Sequence, residues 1–181
     1  RYLAGRWDDP FRFERIAARL NAGRQDLADF RALQLDRRSG LAHALLPAML
    51  TARPLDARSR DWVERLAAWD RDAAAERPEP LVFAAWYHAL AEHLYADELG
   101  ELFPVYRGQR AAFVHAALTR RQAWCDDVVT ASREDCAEVL GAALASALAR
   151  LDAALGPPGP AWRWGRQIGR ASCRERVGHR V

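Results

Sequence analysis

The chain has 181 residues, half of them hydrophobic: enough for one domain with a sizeable core, and with no stretch approaching the length of an apolar membrane span. All 27 basic residues are Arg, and the formal charge of +3 misleads, because residues 163–181 hold six Arg against one Glu. The body that remains carries 21 basic and 23 acidic residues, a net charge of −2, so no basic face for nucleic acid is expected.

In chain order, "RYLAGRWDDP" reads as the interior of a longer protein, without a signal peptide of its own. Pro10 opens "PFRFERIAARL", where Phe13, Ile16 and Leu20 recur at helical spacing. Asp26 caps a long predicted helix, "LADFRALQLDRRSGLAHALLPAML", which Pro47 should bend or divide. "SRDWVERLAAWD" places Trp62, Leu66 and Trp69 on one face. "LVFAAWYHALAEHLYADEL" is apolar enough to lie centrally.

"RGQRAAFVHAALTRRQAW" follows, and then "SREDCAEVLGAALASALARLDAAL", where Ser132 and Asp135 make a variant of the capping-box pattern. "GPPGP" ends the helical region, and "AWRWG" begins an extended segment. No run alternates with period two for long enough to make a strand, so the body is expected to be mainly α.

Three residues raise the question of catalysis. Asp36, Ser39 and His43 fall at i, i+3 and i+7, one stripe of the predicted long helix, and they are the residue types of a serine triad. The stripe flanks an apolar face centred near Ala42. A working triad also needs oxyanion donors, an exposed serine and a histidine oriented by the acid, and its members usually come from separate elements. There is no G-x-S-x-G elbow here, so the pattern favours a polar seam between packed helices. Arg38 lies within the apolar sector and, if buried, must find an acidic partner.

Other chemistry-bearing residues fall short of a site. His88 and His93, five apart, diverge by about 140° on a helix and cannot share a metal without distortion. Asp126 and Asp127 are adjacent and fit a solvated turn. Cys125, Cys136 and Cys173 allow one disulfide, and the absence of a C-x-x-C argues against zinc. No cofactor site emerges.

Four pieces in order carry a resemblance: "PFRFERIAARL", "LQLDRRSGLAHALLPAML", "LAAWDRDAAAERPEPLVFAAWYHAL" and "WRWGR". Together they resemble the R-x-x-R-I, Q-x-D-x-x-S-x-x-A…P, W-D and W-x-W-G elements of the penicillin acylase (penicillin amidase) family of N-terminal-nucleophile hydrolases. The resemblance covers residues 11–166.

It implies an internal fragment of the catalytic β-chain, the helical portion of an αββα fold that lacks most of the sheet core. Residues 1–162 would be that helical part, 163–167 the start of a following extended segment, and 168–181 a non-native tail resembling vector or adapter sequence. The parent would cleave the amide of an N-acyl substrate of penicillin or acyl-homoserine-lactone type. The nucleophilic Ser, made N-terminal by self-cleavage, and the oxyanion Asn would lie upstream; Asn21, the only Asn here, is in the wrong context to serve.

Within this chain the resemblance assigns one supporting residue, Arg12, with Arg15 as the alternative in a shifted alignment. It further implies the α-chain and the rest of the β-chain as partners, a periplasmic or secreted location, and room for a structural calcium in the parent. This chain alone should be inactive. The competing expectation is a stand-alone all-helical module that binds a small molecule, such as a regulator's ligand domain.

Overall fold

The computed structural model describes residues 9–106 and 110–167. It is mainly helical, and among the described residues the extended pairing amounts to one isolated bridge, Arg38 to Asp72. Seven α-helices lie wholly within the described residues: α1 Phe11–Leu20, α2 Leu27–Gln34, α3 Gly40–Met49, α4 Ala57–Ala68, α5 Glu79–Leu99, α6 Ala111–Thr119 and α7 Cys136–Leu155.

The core is organised around α5 and α7. The apolar residues of α5 run around its whole circumference, from Leu81 and Val82 through Trp86 and Leu90 to Leu94, as expected of a helix enclosed on all sides. On α7, Leu140, Ala143, Leu144 and Ala147 meet it. The Trp86 indole N–H, fully buried, donates to the Leu140 carbonyl at 2.9 Å and so satisfies a polar group inside that packing. Helix α3 packs on α6, and α4 lies against α5 and α7.

Gly141 is where small size decides the packing. A Cβ there would sit 2.0 Å from the Arg53 carbonyl oxygen, so only glycine lets the segment after α3 lie on α7. The Arg53 amide donates to Ala137 O at 2.8 Å, and its guanidinium forks to Asp135 and Glu138 at 2.9 and 2.6 Å. Cys125 and Cys136 form a disulfide that ties the 3-10 turn Gln122–Cys125 to the start of α7.

Several local expectations change. The long helix over residues 27–50 is two helices, and the break falls at residues 35–39 rather than at Pro47, which sits inside α3. Ser39 adopts an extended conformation, and its side chain caps α3 by accepting the Ala42 N–H at 3.1 Å. The backbone on either side is drawn off to residues 71–73, with Ser39 N–H to Arg71 O at 2.9 Å and Ala73 N–H to Arg37 O at 3.0 Å. A tertiary pairing therefore overrides the helical period.

The cap of α7 is Asp135, reciprocated by Glu138, whereas Ser132 donates to Glu134 instead. Arg163 is extended, but residues 164–167 turn helical where an extended segment was expected. Residues 168–181, the expected tail, and with them Cys173, lie outside the described residues.

Candidate functional site

Arg12 and Arg15 lie on neighbouring turns of one side of α1 and reach the same end of α2. Arg12 donates from its two terminal nitrogens to Leu33 O and Asp36 O, both at 3.3 Å, at the electronegative C-terminal end of α2, where Leu33 O also accepts the Asp36 N–H. Arg15 places Nε and Nη2 on Asp36 Oδ2 at 2.8 and 2.7 Å. The second carboxylate oxygen of Asp36 accepts the Arg38 N–H at 3.0 Å. Burial pushes the Asp36 carboxyl up, but that N–H and the Arg15 guanidinium outweigh it and hold the group below its ordinary value.

From Asp36 the contacts continue along the chain. Arg37 pairs with Asp72 at 2.9 Å. The turn at residues 69–73 is built by Trp69, whose indole N–H donates to Asp72 O at 3.0 Å, and by Asp70, which accepts the Asp72 N–H at 3.1 Å. Arg71 takes up the left-handed conformation this turn requires, with φ of 65°. Arg77 then reaches back to Asp70 at 2.7 Å, while its carbonyl accepts the Trp164 N–H at 3.0 Å. The Gly165 N–H donates to Ala75 O at 2.9 Å, where a side chain would collide with Ala75.

Pieces distant in sequence (Arg12 and Arg15, residues 36–39, Trp69-Asp70, Trp164-Gly165) thus form one continuous belt of contacts. Sequence spacing did not disclose Arg71 or Arg77 as members of it. The only available signal was the "WDRD" pattern, with Asp70 placed to accept a backbone N–H two residues on.

The triad reading does not survive. Asp36 is bound to Arg15, the Ser39 oxygen caps α3, and His43 is exposed one turn further on. Among the described residues no hydrogen bond joins any two side chains of the three. Ser39 and His43 instead line an open depression of about 370 Å³ with Phe11, Glu14, Arg15, Arg38, Gly40 and Ala44. Arg38 is exposed there, not buried.

A second depression of about 550 Å³ lies over Trp62, between Arg58 and Arg65. Its cations are engaged: Arg58 is forked to Asp152, and Arg65 stacks 4.3 Å over Trp62 and pairs with Glu79. His88 and His93 are both at the surface, and Asp126 and Asp127 cap backbone N–H groups in a turn. Among the described residues no cluster of three or more His, Cys, Asp or Glu is poised to hold a metal ion.

Comparison with known proteins places the chain that carries this belt. The sequence profile of the penicillin amidase family matches residues 1–178. The chain belongs to the penicillin amidase family. The match runs wider than residues 11–166, into the arginine-rich segment at the end.

Among family relatives, the chain is 30% identical to the acyl-homoserine lactone acylase QuiP of Pseudomonas syringae pv. syringae, 29% to that of Pseudomonas syringae pv. tomato and 31% to that of Pseudomonas aeruginosa. Each comparison covers 91% of this chain but only 23%, 23% and 22% of the relative, so the chain spans less than a quarter of their length. No solved structure matches.

Proposed function

We propose that this chain is the helical part of the catalytic β-chain of a penicillin amidase-family enzyme that hydrolyses acyl-homoserine lactones, and that it is inactive alone. The observation that carries the reading is the belt itself. It gathers the quoted pieces into one surface, and among the described residues its serine, Ser39, caps α3 and shares no side-chain hydrogen bond with His43. The three relatives named above, all acyl-homoserine lactone acylases, favour a lactone-bearing amine over a penicillin nucleus as the leaving group.

In the proposed parent the nucleophile is a serine at a chain terminus freed by self-cleavage. Its hydroxyl oxygen attacks the amide carbon while its own α-amine, which titrates near pH ~8, takes the proton. An Asn side chain upstream of this chain stabilises the oxyanion. That proton passes to the departing amine, and water then cleaves the acyl ester, releasing a carboxylic acid.

Arg12 would act as a positioning residue beside that Asn, with Arg15 as the alternative. Their placement on one side of α1, anchored by Asp36, supports a fixed cationic edge for such a role. A structural calcium, if the parent holds one, would take ligands from elsewhere in it. The Cys125–Cys136 disulfide supports a periplasmic or secreted location, since such bonds persist in oxidising compartments.

The test is to express the contiguous reading frame and assay release of homoserine lactone and free acid from a long-chain acyl-homoserine lactone. Hydrolysis by the processed protein, its absence from residues 1–181 alone, and loss on changing the new terminal serine to alanine are the expected results. A reading frame that begins at residue 1, or hydrolysis by the isolated chain, would overturn the proposal.

A further inference from the structure

Helix α1 is attached to the rest of the protein by the wrong side. At 100° per residue, Phe13, Ile16, Ala17 and Leu20 occupy one arc of about 100°, the stripe an amphipathic helix normally buries. The residues that hold α1 in place, Phe11, Arg12 and Arg15, are centred about 140° away from it. Phe11 presses on Gly40, where a Cβ would lie 2.8 Å from the ring-bearing carbon, and the two arginines grip the end of α2.

The two ends of the stripe, Phe13 and Leu20, are exposed to solvent, while Ile16 and Ala17 between them are half-buried. Phe13 is 74% exposed, and α1 has no buried residue. Helix α2 repeats the pattern: only Leu33 is buried, while Leu27, Phe30 and, just beyond the helix, Leu35 face solvent. Two short helices that leave Phe13, Leu20, Leu27 and Phe30 in solvent, with Leu35 just beyond them, are built to be covered from outside.

We propose that this outward face of α1 and α2 is where the chain packs against the adjoining polypeptide of its full-length parent. This rests on the fragment reading given above. The occupant is the parent's own chain because the matched relatives carry more than three-quarters of their length beyond the region compared. Spacing of i, i+3, i+4 and i+7 is what one packed element presents to another. A second copy fits less well: antiparallel two-fold pairing of the stripe would set the Arg12–Arg19 edge against itself.

The experiment compares the 181-residue chain with the same chain in its contiguous reading frame, by amide hydrogen exchange. The α1 amides should exchange at least tenfold more slowly in the longer protein, whereas those of α5 should match. Phe13→Asp combined with Leu20→Asp should lower the melting temperature of the longer protein by about 5 °C and leave that of the 181-residue chain within about 1 °C. Equal α1 exchange in the two proteins would overturn the inference. So would a dimer of the 181-residue chain, seen by sedimentation, that the same substitutions dissociate. Acyl-homoserine lactone hydrolysis measured in parallel separates the claims. Hydrolysis with unprotected α1 removes the interface and keeps the enzyme; protection without hydrolysis does the reverse.

Discussion

The α5–α7 pair and the α1–α2 hairpin are equally helical and owe their positions to different physics. In α5 and α7 buried side chains from both helices interlock, and the Trp86 indole among them is satisfied by Leu140 O. In α1 and α2 only Leu33 is buried, and a carboxylate held by a guanidinium does the anchoring. Helicity therefore says little about where stability resides; burial says most of it. The first region behaves as a core of its own, the second as half of an interface.

The sharpest way to break this contrast is Trp86→Ala. It removes a large, fully buried side chain that α5 packs on α7, together with its indole bond to Leu140 O, so a loss of about 3–5 kcal/mol is expected in chemical denaturation. A loss below about 1 kcal/mol would mean that the pair is not the core. Next in size is the disulfide. Changing both Cys125 and Cys136 to Ser frees a short loop leading into α7 and should cost about 2–3 kcal/mol, visible as a lower denaturation midpoint. Reducing agent should lower the midpoint of the parent chain similarly and leave the double variant unmoved.

The core side of the comparison was largely legible in the sequence. Trp62, Leu66 and Trp69 are buried as their spacing required, and the apolar run at residues 81–99 is central. What could not be read was the interruption at residues 35–39. Apolar periodicity carries through it, and the helix ends there because the backbone pairs with residues 71–73, a non-local contact that the Asp36 turn onto the Arg38 N–H and the Ser39 cap complete. The same gap hid the belt. Asp36 looked like one point of a triad because a single helix would have lined it up with Ser39 and His43. Its partner turned out to be Arg15, twenty-one residues earlier.

That ion pair gives the hairpin its own signature. Asp36→Asn should cost about 1–2 kcal/mol, felt as faster amide exchange in α1 with little change in the α5–α7 transition. Its acid dependence follows in sign. The folded carboxyl sits below the ordinary 3.8, so its contribution is full above that value and is lost as pH falls through and below it. A surface group on α5 responds earlier. His93, exposed but partly desolvated against its helix and lowered further by Arg150 despite Glu92 and Asp127, favours its neutral form when folded, so stability begins to fall slightly as pH drops below about 6.5. His93→Gln should remove that earlier step and leave the hairpin's lower one in place.

The smallest expected effect is the most diagnostic. Phe13 is a large aromatic in the middle of a strongly amphipathic helix, and in a self-sufficient domain Phe13→Ser would cost several kcal/mol. Here the ring is 74% exposed, so the substitution removes little that folding has buried. The change in denaturation free energy of the 181-residue chain should stay within about 0.5 kcal/mol. A much larger loss would show that α1 folds with its stripe inward, which would undo both the clamp geometry of Arg12 and Arg15 and the contrast with α5. A near-zero change, beside the large one at Trp86, would place the two helices on opposite sides of the line between core and interface.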